Sequence, residues 1–222
     1  MITNFANRVQ RGKCSAHHSS TVIIGLMLLL GHLGITVGAM IGIEHLLSRT
    51  HRAHPRRSFF AQTANLLRTA DYRLVLLGSV LPDLIDKPVG VYLFRETFHS
   101  GRIFAHTLLF LLVLVAIGLW RYRRNAATGV LALASGTFMH LLLDGVWRSP
   151  ETLFWPAFGF DFPEYETGNF LREMMERLIH KPSAYIPEFV GLAIGLGIGI
   201  RMLKSGALSR FLKTGMLYDE RL

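Results

Sequence analysis

The chain has 222 residues, half of them apolar, with a mean hydropathy of +0.34 and a formal net charge of +9. That length suits one domain, and the positive charge lies in short stretches beside long apolar runs, where it orients a membrane protein rather than binding nucleic acid. The single cysteine, Cys14, excludes an intrachain disulfide and a thiolate metal cluster.

Residues 1–21 form a polar basic segment in which Arg8, Arg11 and Lys13 precede the run VIIGLMLLL. This has the look of a signal peptide, but the apolar stretch continues to Ile43, too long for a signal core, so it reads as an uncleaved first span, Val22 to Ile43, carrying His32. The second segment, Leu74 to Phe94, contains Pro82, Asp83, Asp86, Lys87 and Pro88. Its two prolines interrupt the helical ladder and predict a broken or re-entrant helix that lines a cavity. The third segment is Ile103 to Trp120, and the fourth is Ala126 to Trp147 with His140 and Asp144. Residues 148–183 form a long loop with the aromatic stretch FWPAFGFDFPEY, suited to a lid or to interfacial helices. The fifth segment, Ala184 to Met202, contains GLAIGLGIGI. Small residues at that spacing suit close helix packing, and with no strand before them they do not make a phosphate loop. Residues 204–222 form a basic tail.

A helix of roughly 20 residues covers the roughly 30 Å of a bilayer core, and helices satisfy their own backbone groups there. The expected fold class is therefore all-α, a polytopic membrane helix bundle of about four to five transmembrane segments within one embedded domain, residues 22–203. Basic residues concentrate in loop 44–73, in the Arg121–Arg124 link and in the tail. With five spans these share one side, which predicts an external N-terminus and a cytoplasmic tail in a prokaryotic cytoplasmic membrane.

Asp83, Asp86 and Asp144 sit within apolar runs. An ionised carboxylate at mid-bilayer costs about 3 kcal/mol, so each needs a partner and marks a candidate site. His32, His106 and His140 supply imidazoles, and His99 lies just before the third segment. His140 and Asp144 are spaced i and i+4, and Asp83 and Asp86 are spaced i and i+3, so each pair shares a helix face. In alternating helices, His32, the Asp83/Asp86 pair, His106 and the His140/Asp144 pair all fall in the same half of the bilayer. Plainer readings compete: His32 as a packed core residue, Asp86 as the ion-pair partner of Lys87, and Asp83 as a helix cap after Pro82. Imidazole and carboxylate donors without thiolates suit a divalent ion, zinc first, with manganese and iron as alternatives. The expected ligands are His106, His140 and Asp144, then Asp83, with His32 as ligand or support; Asp86 is the candidate general base.

GHLGITVG, GSVLPDLID, HSGRIFAHTLLF, and GTFMHLLLDGVW followed by LFWP, in this order, resemble the YdjM-like family of membrane-bound metal-dependent hydrolases over roughly residues 31 to 157. The family commonly has PDID and a HRGxTH motif; here the sequence is PDLID, and His99 and Arg102 precede His106 at other spacings. The resemblance implies a hydrolase, distantly similar to zinc-dependent phospholipases C, with His32, Asp83, Asp86, His106, His140 and Asp144 as its polar site. The resulting expectation is metal-activated hydrolysis of a lipid or other amphiphilic phosphoester, with membrane lipid as partner, no nucleic acid, and oligomeric state left open. The rival is a non-enzymatic membrane protein, either a cation or proton carrier or a haem binder.

Overall fold

The computed structural model describes residues 31–50, 58–94, 97, 100–160, 162, 180 and 182–217. Every regular element among them is helical, and no strand occurs among the described residues. The helices are α1 (31–50), α2 (Ser58–Arg68), α3 (Tyr72–Gly78), α4 (Leu81–Lys87), α5 (Leu108–Asn125), α6 (Gly129–Leu143), α7 (Pro150–Leu153), α8 (Pro182–Lys204) and α9 (Ala207–Thr214).

The second apolar segment is broken into three pieces. α3 ends at Ser79, whose N–H donates to the Val75 carbonyl at 2.9 Å. Pro82 then occupies the first turn of α4, where its missing N–H removes no intrahelical bond. Pro88 opens a wider π-helical turn, Pro88–Leu93, closed by Phe94 N–H donating to the Val89 carbonyl at 2.8 Å. The prolines thus start elements instead of interrupting them, and the true break falls between them and α3.

The third segment begins later than its hydrophobicity predicts. Thr107 caps α5 by accepting from Phe110 N–H at 3.1 Å, so Ile103 to His106 lie on a loop. The fourth ends earlier, because Gly145 takes the left-handed conformation (φ 64°) that closes α6 just after Asp144. The apolar runs are continuous in sequence, but the chain leaves the helix wherever polar groups gather.

These breaks shorten the helices. Among the described residues, one helical stretch is long and apolar enough to cross a membrane, Tyr185–Lys204, with 20 residues and a mean hydropathy of 1.6. α6 has 15 residues, about 22 Å of rise, less than a bilayer core. α5 has 18 residues but carries Arg121, Arg123 and Arg124 in its last turns. The first expected span starts outside the described residues.

Two close helix contacts organise the bundle. A Cβ on Gly136 of α6 would collide with the Val75 carbonyl and Ser79 N–H of α3, and one on Gly78 of α3 would collide with the Leu133 carbonyl of α6. On the other side, Gly31 and Gly34 of α1 press against the backbone of α8 at Glu188 and Gly191. The glycine stripe of the fifth segment therefore packs through Gly191, while Gly197 and Gly199 face open space. Tyr72, Val75, Ala132, Val37 and Met40 join α3, α6 and α1 in one buried cluster, to which Ile198 and Phe211 bring α8 and α9. Arg73 fastens α9 by donating to the Leu212 carbonyl at 2.9 Å and the Lys213 carbonyl at 3.2 Å. The same guanidinium pairs with Asp71 at 2.7 Å and holds that carboxyl below its usual value.

Candidate metal centre

The loop before α5 is folded around one carboxylate. Asp86, fully buried on α4, accepts from Ile103 N–H at 2.8 Å, from Ala105 N–H at 2.9 Å and from His106 N–H at 3.1 Å. Its Oδ2 also lies 2.7 Å from His106 Nδ1. A carboxylate oxygen there accepts from Nδ1–H, and in a neutral ring this leaves Nε2 as the nitrogen with the lone pair. Gly90 makes room for this arrangement, because a Cβ there would strike the Ser100 carbonyl.

His140 is held in the same sense from α3. The helix break leaves the Ser79 carbonyl free, and it lies 2.7 Å from His140 Nδ1. A carbonyl also only accepts, so again Nδ1–H donates and Nε2 is the bare nitrogen. The two Nε2 atoms are 3.2 Å apart. Lone pairs facing one another at this distance repel unless a proton or a cation lies between them. A tetrahedral ion with bonds of roughly 2.0–2.1 Å holds two nitrogens about 3.3 Å apart.

Two carboxylates close the group. Asp83 Oδ1 is 3.6 Å from His106 Nε2 and 3.9 Å from His140 Nε2. Asp144 Oδ2 is 3.6 Å and 3.8 Å from the same two atoms. All four ligand atoms lie within 4.8 Å of one another. Two imidazole nitrogens and two carboxylate oxygens, each imidazole fixed through its other nitrogen, are a fit donor set for a divalent ion with an oriented outer shell.

The expected residues divide into two roles in space. Asp83, His106, His140 and Asp144 converge. His32 stands beside them, its Nε2 3.1 Å from the other Asp144 oxygen, Oδ1, and its Nδ1 3.5 Å from Glu188 Oε1. Asp86, expected as general base, lies behind His106 with both oxygens engaged by the loop. The plainer reading of Asp86 as the partner of Lys87 does not hold: Lys87 reaches one helical turn back to Asp83 Oδ2 at 2.6 Å, while Asp86 is enclosed by the loop. Nor is Asp83 a cap; Val80 holds that position, and Asp83 sits in the first turn. His99 lies outside the described residues.

Glu188, Ser79 and Arg102 complete the arrangement without having been assigned a role from sequence. Glu188, a buried acid inside the apolar α8, was detectable as a carboxylate in a membrane-length run. Ser79 acts through a backbone carbonyl, which no side-chain pattern reveals. Arg102 Nη2 lies 2.9 Å from Asp144 Oδ2. In the long loop after α6, Trp155 and Phe162 pack edge-on against Phe104, with ring centroids 5.2 Å and 6.0 Å away, beside the Asp86-bound turn; residues 163–179 lie outside the description.

A family model described as YdjM inner membrane protein matches residues 18–206. No curated protein and no solved structure matches the chain.

Proposed function

The chain belongs to the YdjM inner membrane protein family, and from that premise we propose a multi-pass membrane hydrolase that uses a divalent ion, zinc first, to cleave a lipid or other amphiphilic phosphoester. The observation that carries this reading is the pair of imidazole nitrogens, His106 and His140 Nε2, 3.2 Å apart with the Asp83 and Asp144 oxygens around them. An ion held there supplies a Lewis acid and lowers the pKa of bound water. Embedding in several passes is supported by the outward faces of α5 and α8, where Leu112, Ile117, Trp120, Phe189, Leu196 and Leu203 are exposed.

The chain's own groups divide the remaining work. Asp86 is a positioning residue, fixing the ring of His106 and its tautomer through Nδ1. The Ser79 carbonyl does the same for His140. Both Asp83 oxygens are engaged, Oδ1 beside the two imidazoles and Oδ2 on Lys87 at 2.6 Å, so Asp83 acts as a ligand. His32 fixes Asp144 through the oxygen that points away from the ligand group.

The haem alternative conflicts with the geometry, since nitrogens 3.2 Å apart leave no space for a porphyrin between two axial ligands. A cation carrier remains the rival outcome. The test presents phospholipid in mixed micelles to the purified full-length chain, before and after chelation and after return of Zn²⁺. Phosphoester cleavage that is lost on chelation, restored by zinc and absent in His140→Ala supports the hydrolase. Stoichiometric metal uptake with no cleavage of any phospholipid class favours the carrier.

A further inference from the structure

Exposure rises in an ordered way across the site. The His106 and His140 side chains are 0% and 1% exposed, and the Asp144 and Asp83 carboxylates are 12% and 25% exposed. Beyond them, Arg102 and Lys87 are 36% and 40% exposed. The imidazoles are thus enclosed, the carboxylates partly open, and the two cations the most exposed groups of the site. Each ligand carboxylate carries one of these cations: Lys87 on Asp83 at 2.6 Å, and Arg102 on Asp144 at 2.9 Å.

We propose that Lys87 and Arg102 are the binding residues for the anionic group of the substrate, and that this group is a phosphate. The inference rests on the metal reading above. When a divalent ion matches the charges of Asp83 and Asp144, the two cations keep positive charge on the most exposed groups of the site. A tetrahedral phosphate can give one oxygen to the ion, one to the compact ammonium of Lys87 and one to the guanidinium fork of Arg102. A planar carboxylate has only two oxygens and leaves one of the three without a partner, and a neutral ester meets neither cation. Arg102 is also well placed mechanically. It sits on the 100–107 loop that Asp86 fastens through three backbone N–H groups, so its backbone is held relative to His106.

The test uses the full chain in detergent micelles, loaded with Mn²⁺, with inorganic phosphate as the probe and the paramagnetic broadening of its ³¹P signal as the readout. Metal content is measured on every sample. Wild type should broaden the phosphate signal. Arg102→Gln and Lys87→Met should each weaken phosphate binding about tenfold, as expected when a charged hydrogen bond is removed, while Mn²⁺ is retained. Arg102→Lys keeps the charge without the fork and should fall between wild type and Arg102→Gln. Displacement of phosphate by phosphatidic acid in the micelles, but not by glycerol phosphate, would assign the group to a lipid headgroup; the reverse would assign it to a soluble ester, and both results support a phosphate site. Unchanged phosphate affinity in both charge-removing variants, with metal still bound, overturns the proposal. A wild type that takes up no metal overturns the metal reading itself, and with it this one; the metal content separates that failure from the first.

Discussion

Two pairs of helices meet at the site, and they contribute to it unequally. α3 and α6 pack backbone to backbone at Gly78 and Gly136, and this contact places the Ser79 carbonyl 2.7 Å from His140 Nδ1. α1 and α8 approach as closely, at Gly34 and Gly191, but they bring His32, which touches the far oxygen of Asp144, and Glu188, which touches His32. Equal closeness of packing therefore has unequal chemical meaning. The first contact aims an imidazole of the group that could hold a metal ion; the second braces a carboxylate already in place.

The sharpest way to break this comparison is to widen both contacts. Gly136→Val forces a methyl-bearing carbon into the Val75 carbonyl and Ser79 N–H, and overpacking costs about 1–3 kcal/mol or more. It should lower thermal stability and abolish metal binding together. Gly34→Val makes a comparable collision with Gly191 and should lower stability while most metal affinity survives. Melting curves recorded with and without zinc measure both. A Gly34→Val protein that loses metal as fully as Gly136→Val would erase the distinction.

Next in size is the support behind His106. Asp86→Asn keeps the shape but can no longer accept from every donor around it, and loss of such outer partners weakens metal binding by about 10–100-fold. Equilibrium dialysis against zinc would show this, and an unchanged affinity would mean that the loop holds His106 without the carboxylate. Glu188→Gln should be milder, about tenfold or less by the same reasoning, because it reaches the ligand Asp144 only through His32. An effect larger than that of Asp86→Asn would reverse the ranking of the two regions.

How much of this was legible in the sequence follows from where each group acts. The HxxxD spacing of His140 and Asp144 is set by helix geometry, and the two residues lie side by side as the period requires. Asp83 and Asp86 share a face as well, and His106 lies between them, 3.6 Å from one and 2.7 Å from the other. The contacts of Asp86 were not legible. It depends on a loop at 100–107 that the apolar run from Ile103 disguises as helix, since Ile103 is buried by tertiary packing instead of lipid. The helical class was readable from hydrophobicity, while helix lengths were not, because hydropathy does not register the turns at Ser79, Thr107 and Gly145.

The smallest expected effect lies away from the site. Asp71 is held below the usual carboxyl value of 3.8, chiefly by its hydrogen bond to the Arg73 side chain. A lowered folded-state pKa means that its contribution is complete above the unfolded value and is lost as pH falls through the folded one. Docking of α9 against α3 should therefore loosen only below about pH 4, given the ordinary carboxyl range. Hydrogen exchange at Tyr72 N–H, which donates to the Gly215 carbonyl at 2.9 Å, would report the loosening. In Asp71→Asn the acid-dependent step should disappear.

On the proposed reading, His106, His140, Asp83 and Asp144 hold one divalent ion together. The most direct measurement is zinc stoichiometry and affinity of the purified full-length chain, compared with His106→Ala, His140→Ala and the double variant. Wild type should hold one ion tightly per chain, each single variant should lose it, and the double should lose little more, as expected of residues acting as one unit. A folded wild-type protein that remains metal-free at saturating Zn²⁺, Mn²⁺ and Fe²⁺ would contradict it.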